Sequence, residues 1–327
     1  LIKEIAENFY MITLPMPFRL EHVNVIILVH DKGVALFDTG LNMSGSFSKL
    51  GDSLKTIGKS VHDIDSIFIT HHHVDHCGMA GRIKEISGAA IYMSEIGRQI
   101  IENHKNEGLA IQKIKRFYME QGLTEKTVDG LVGLLRHFKK AIFPFQVDKY
   151  LDVNKKYMIG NKTFEILPTP GHTLDHTCFF FREEGLLLSG DHILPEITPN
   201  LSPDLFYPEF HPLQSFLDSL TSIQDLPVSM VFPAHGAPFT NLKKRIREMR
   251  AHHEERKSLI LNSIKEGPKT TFQGSMDIFG KDLSGFDKFL AINETYVHLI
   301  ELIHEGIISE FKKGTQILYD VAFRRRL

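Results

Sequence analysis

THHHVDHCG, residues 70–78, puts four histidines and one aspartate into six consecutive positions, 71–76, directly after the apolar, β-branched run IDSIFIT. A short run of that kind reads as a buried strand, so the histidines sit at its C-terminal end. A loop leaving a strand can turn alternate side chains toward one point. That groups His71 with His73 and Asp75 with His76, and leaves His72 pointing elsewhere. Imidazole nitrogen and carboxylate oxygen are suited to zinc and similar ions. One histidine at a strand end is commonly a surface or packing residue, so the cluster needs partners from elsewhere in the chain.

Three further stretches place a ligand-type residue straight after an apolar run. They are EILPTPGH ending at His172, LLLSGD ending at Asp191 and VSMVFPAH ending at His235. Each stands where a strand meets a loop, beside glycine or proline, the place where rigid scaffolds carry functional side chains. Seven such residues at several strand ends suit a site for two metal ions, ~3.5–4 Å apart in two-metal hydrolases. The order HxHxDH, GH, GD, HG resembles the metallo-β-lactamase superfamily of hydrolases. TPGHT, SGD, PAHG and LFDTG resemble its glyoxalase II-like branch. The motifs span residues 38–236 without gaps.

The resemblance implies an α/β (α+β) fold, an αββα sandwich with metals at one edge. It places His71, His73 and His172 on the first ion, Asp75, His76 and His235 on the second, and Asp191 between both. Asp38 of LFDTG would stand behind the ligands and orient a histidine or the cluster loop. Two divalent ions are expected, zinc first, with iron or manganese as alternatives because the donor set is not strictly selective. Such a site activates a shared water, and the resulting hydroxide attacks a carbonyl. Asp75 is the expected proton carrier. No other general acid stands in the motifs, which favours small acyl thioesters or esters over amides.

Composition agrees with a globular chain: 327 residues, 42% apolar and 24% charged, with a net charge of −2. That balance argues against a dedicated nucleic-acid binder. Two cysteines, Cys77 and Cys178, do not make a disulfide framework. No apolar run reaches membrane-spanning length, and LIKEIAENFY lacks the layout of a secretion signal. The expected location is the cytoplasm.

Residues 1–241 read as the catalytic domain, interrupted at 95–143 by a helical insertion broken at Gly108 and QGLT. Its apolar residues, among them Ile111, Ile114, Phe117 and Leu131, predict either a self-packed hairpin or a hood over the metals. The loop 192–210 follows Asp191 directly and offers His192, Asn200, Phe206 and Tyr207 as substrate-lining candidates. Residues 242–327 predict a small helical module that closes on a β-like tail. It resembles the winged-helix-like appendage of LACTB2-like members, which cut RNA. KKRIREMR and RRR (324–326) are the stretches that could meet a nucleic-acid backbone. Three rival readings follow: a lactonase with Tyr207 as its phenol, a LACTB2-like endoribonuclease, and a metal-bearing ligand sensor without catalysis. The insertion and the C-terminal helices could each form a homodimer interface.

Overall fold

The computed structural model describes residues 2–17 and 20–322. The first sheet runs in sequence order through β1 (Ile2–Ala6), β2 (Phe9–Pro15), β3 (His22–His30), β4 (Gly33–Phe37), β5 (Ile64–Phe68), β6 (Ala90–Met93) and β7 (Lys149–Tyr150). Pairing is antiparallel from β1 to β4 and parallel from β4 to β7. The second sheet has the order β12-β11-β10-β9-β8, built from β8 (Lys156–Ile159), β9 (Lys162–Pro168), β10 (Thr177–Phe181), β11 (Leu186–Gly190) and β12 (Met230–Pro233).

Strand side chains alternate between faces, and in β4, β10 and β11 both faces are buried, which is why these strands read as apolar runs. Along β10, Phe179 and Phe181 enter the core between the sheets, where Phe9, Phe37, Phe68 and Phe164 meet them. Cys178 and Phe180 face the other way, against a helical layer. Helices α1 (Ser44–Thr56) and α3 (Ala80–Ser87) cover the first sheet, with the short α2 (Val74–Cys77) at its edge. The result is four layers, αββα.

The insertion forms α4 (Glu95–Lys105), α5 (Glu107–Glu120) and α6 (Glu125–Lys139). The first break falls at Asn106 rather than Gly108. The Asn106 side chain accepts from Leu109 N and caps α5. Helix α7 (Pro212–Ile223) has no counterpart in the sequence reading. It buries Leu213, Phe216, Leu220 and Ile223 against the second sheet. The remaining elements are α8 (Leu242–Lys265), α9 (Thr271–Phe279), α10 (Gly285–His304) and a hairpin of β13 (Ile308–Lys313) with β14 (Gln316–Val321). This C-terminal part thus consists of three helices and a two-stranded hairpin, of which α9 has no counterpart in the sequence reading.

The apolar faces of α5 and α6 pack on each other and, together, on the C-terminal module. Tyr118, Leu123, Val128, Leu131 and Val132 share a core with Ile292, Phe272 and Phe289 of the C-terminal module. Polar ties seal it. Gln121 Oε1 accepts from Thr271 Oγ1 at 2.5 Å and from Tyr319 Oη at 3.0 Å. Gly122 has φ +102°, and a Cβ there would lie 2.8 Å from Thr270 Cβ. Gly122→Ala is therefore expected to cost about 3 kcal/mol in chemical denaturation, combining overpacking with a strained backbone. An unchanged midpoint would mean that this junction yields freely.

Candidate metal centre

Strand ends bring the seven sequence-selected residues together. β5 leads into His71 and His73, then into α2 with Asp75 and His76. β9 leads to His172, β11 to Asp191 and β12 to His235. The donor atoms fall into two groups, His71, His73, His172 and Asp191, and Asp75, His76 and His235. Within each group the atoms lie within 4.8 Å of one another. Donors held by one tetrahedral ion stand ~3.3 Å apart, given bonds of ~2.0–2.2 Å. His172 Nε2 is 3.0 Å from His73 Nδ1 and 3.4 Å from Asp191 Oδ2. His235 Nε2 is 3.4 Å from Asp75 Oδ2 and 3.3 Å from Asp191 Oδ1, and His76 Nε2 is 3.5 Å from Asp191 Oδ2. Asp191 thus faces both groups.

The residues fit divalent ions on a second count. His71 Nε2, His76 Nε2, His235 Nε2 and Asp191 Oδ1 are buried without a hydrogen-bond partner. Orphaned buried polar atoms are costly and rare, and a cation in each group would satisfy all four.

The far nitrogens are held in turn. His172 Nδ1 donates to Asn200 O at 2.8 Å and His235 Nδ1 to His22 O at 2.7 Å. A carbonyl can only accept, so in the neutral form of either ring the lone pair is on Nε2, toward the centre. His76 Nδ1 donates to Asp38 Oδ2 at 2.8 Å. Asp38 also accepts from Thr70 N at 2.8 Å, and Thr70 Oγ1 meets His71 Nδ1 at 3.0 Å. Asp38 therefore orients both a histidine and the cluster loop.

Burial, then the charges of His76, His73 and His172, pushes His71 well below the usual imidazole range. His73 and His172 are lowered as well, again chiefly by burial. The other group behaves oppositely. Burial works against the charge on His235, but Asp191 and Asp75 outweigh it and raise it to about 10. Burial likewise opposes the charge on His76, and Asp191, Asp75 and Asp38 overcome it and raise the ring. Burial would raise Asp75, yet His76 and His235 hold it at about 2. Ion-free protein thus carries protons on His76 and His235 near neutrality. Loading divalent ions is expected to release about one to two protons per chain near pH 7. A pH indicator in weakly buffered solution reads this, and loading without proton release would contradict the assignment of charge.

His72 turns away, its Nδ1 2.7 Å from Asp175 Oδ1. Cys77 is buried and donates to His72 O. Of the loop candidates, His192 is fully buried with its ring against Phe216, behind the centre rather than open to a substrate. Asn200 contributes its backbone carbonyl to His172. Phe206 lies under Lys113, and the Tyr207 hydroxyl meets Asn103 and Gln99 of α4. Missed in the sequence were Thr70, Asp175 and His176. His176 Nε2 accepts from Asp191 N at 3.1 Å while its Nδ1 faces Thr169 Oγ1 at 2.8 Å. Gly190 makes room for it, with φ +50° and a Cβ position 2.7 Å from His176 Nε2. The signal was present in TLDHT, immediately after His172.

A third buried group, His253, Glu294 and His298, also has donors within reach of one another. Its rings are 29° from coplanar with centroids 5.2 Å apart, and Nδ1 of His253 meets Nε2 of His298 at 3.1 Å. The two rings are thus joined by one hydrogen bond, while His253 Nε2 and Glu294 Oε1 are buried without a partner. His298 Nδ1 donates to Glu294 O, so its Nε2 is the acceptor. Burial lowers His253 to about 2 and His298 to about 3, so both rings are neutral. A cleft of about 810 Å³, lined by His30, Asp65, Tyr92, Lys149 and Tyr157, shares no residue with the metal cluster.

The basic residues of α8 are largely engaged within the chain. Lys243 pairs with Asp225, Lys244 with Glu248, Arg245 with the carbonyls of Leu194 and Ile197, and Arg250 with Leu217 O. Arg324, Arg325 and Arg326 lie outside the described residues. Among the described residues, no helix is long and apolar enough to cross a membrane.

Fold and cluster together define a protein of the metallo-hydrolase type. The pattern of the metallo-beta-lactamase superfamily matches residues 19–235, and the chain belongs to that superfamily. The probable metallo-hydrolase YqjP of Bacillus subtilis is 25% identical over 96% of this chain and 98% of its own. A beta-lactamase-like protein 2 homolog of Caenorhabditis elegans is 27% identical over 90% and 83%. An atrochrysone carboxyl ACP thioesterase of Passalora fulva is 24% identical over 93% and 75%. The crystal structure of a metallo-beta-lactamase family protein from Thermus thermophilus superposes with TM-score 0.84 at 28% identity, over 97% of this chain and 100% of the other.

Proposed function

We propose that the protein is a dinuclear metal-dependent hydrolase of small acyl thioesters or esters. The observation that carries this reading is Asp191, one buried carboxylate facing both donor groups. His71, His73 and His172 would hold one ion, Asp75, His76 and His235 the other, and Asp191 both. Zinc suits this nitrogen-rich set best, with iron or manganese as substitutes. When bound, such ions supply Lewis acidity and an activated water at neutral pH.

The chain's own groups do the rest. Asp75, held ionised at about 2, is the proton acceptor beside the reacting centre. The carbonyls of Asn200 and His22 hold His172 and His235 in the productive tautomer. His176 fixes the backbone of Asp191. Asp75 is the one group placed to carry a proton, and among the described residues of the cluster no second acid stands ready to protonate a departing group. That supports substrates whose leaving group departs as an anion, a thiolate above all. The fungal relative named as an acyl-carrier thioesterase supports the same choice. The endoribonuclease reading draws less support, because Arg245 and Arg250 of α8 are engaged by backbone carbonyls within the chain.

The test is thiol release from a panel of aliphatic and aromatic acyl thioesters, with lactones and single-stranded RNA in parallel. Thioester turnover lost in His73→Ala is the expected result. Turnover of lactone or RNA alone would replace the reading.

A further inference from the structure

Four ligand histidines use Nε2 toward the centre, and the far nitrogens of three of them are held from within the sandwich: His71 by Thr70, His76 by Asp38, His235 by the His22 carbonyl. His172 differs. Its Nδ1 donates to the backbone carbonyl of Asn200, and Asn200 belongs to a strap that the C-terminal module holds in place.

The strap is tied at three successive residues. Asn200 Nδ2 donates to Leu290 O at 3.0 Å, Leu201 N to Glu294 Oε2 at 3.4 Å, and Asn293 Nδ2 to Ser202 Oγ at 3.0 Å. Residues 290, 293 and 294 are spaced i, i+3, i+4, one stripe of α10. Ser202 Oγ donates back to Asn200 Oδ1 at 3.1 Å. Asn293 is itself buried, and its Oδ1 accepts from Tyr118 Oη of α5 at 2.7 Å. A continuous chain of hydrogen bonds thus runs from the insertion, through α10 and the strap, to a ligand histidine.

We propose that Asn293 and Ser202 are positioning residues for His172, so that the C-terminal module and the insertion together set the hold on one metal ion of the two. The module is then part of the catalytic apparatus rather than an appendage. The inference rests on His172 being a ligand, the assignment made above. A carbonyl fixes an imidazole only as well as the backbone that carries it is fixed. Partners behind metal ligands commonly change metal affinity about 10–100-fold when removed.

The experiment uses the full-length holoprotein and no substrate. Asn293→Ala and Ser202→Ala are each loaded with zinc and challenged with a chelator, and ions lost per chain are followed. Cobalt-loaded samples give the visible spectrum. The expected result is one ion of two leaving about 10–100-fold more readily, with an altered cobalt spectrum and the other ion retained. Ser202→Thr keeps the hydroxyl and should restore wild-type retention. Val297→Ala, on the same helix but facing α7 and α8, should lower stability and leave retention unchanged. Loss of both ions together in step with lowered stability, equal loss in Val297→Ala, or unchanged retention in both alanine variants would overturn the proposal. Should Asn293→Ala fail to fold, the half-buried Ser202 pair carries the test alone. A wild-type chain that retains no ions would refute the ligand assignment itself, a different failure from that of the strap.

Discussion

Asp191→Ala is expected to lower hydrolysis by about 1,000-fold or more, the equivalent of roughly 4 kcal/mol of transition-state stabilisation. Its carboxylate lies 3.3–3.5 Å from Nε2 of His235, His172 and His76. Without it, either ion would lose an anionic donor, and the two would lose the group that holds them together. Removing even one electrostatic stabiliser costs about 100–1,000-fold in hydrolases, so losing a donor shared by both ions belongs at or beyond the top of that range. Asp191→Asn keeps the shape and removes the charge, and should be nearly as inactive. Turnover with counted metals checks it. Activity within tenfold of wild type would show that Asp191 does not join the two groups.

Asp38 carries the second large effect, at a distance from any substrate. It sits at φ +62°, a backbone region that asparagine and aspartate tolerate and alanine does not. Its carboxylate accepts from His76 Nδ1, Thr70 N and Thr70 Oγ1. Asp38→Asn keeps the backbone preference and so isolates the charge. It should weaken metal binding about 10–100-fold and cost about 3 kcal/mol, because one member of a buried charged network is lost. Asp38→Ala adds backbone strain and leaves Thr70 N without its acceptor, so it should be worse on both measures. Metal titration and chemical denaturation of the two variants separate the terms. Equal behaviour of Asn and Ala would mean that the carboxylate charge alone matters.

Legibility in the sequence followed the physics of each feature. β10 and β11 were readable because TCFFF and LLLSG are buried on both faces and leave no polar interruption. The ligands were readable because each follows such a run, and each is a side chain of the right donor type. What holds the ligands was only partly readable. Asp38 acts through its side chain and stands in a motif, Thr70 was missed although it too acts through a side chain, and the carbonyls of Asn200 and His22 act through atoms that every residue possesses, so no residue type marks them. The loop candidates stand directly after Asp191 in the chain, but burial is decided by what packs behind: α7 takes His192 out of reach of solvent through Phe216. The insertion shows the limit of periodicity. Its apolar stripe announces that something covers it, while the cover, Ile292, Phe272 and Phe289, comes from more than a hundred residues downstream.

A two-ion site acting on an acyl thioester is tested most directly by titrating chelator-stripped protein with zinc, with thiol release and bound metal followed at each increment. Thiol release that is absent without metal, rises with it and levels off at two ions per chain is the predicted result. Two ions bound with no release from any thioester, or release that persists after stripping, would contradict it.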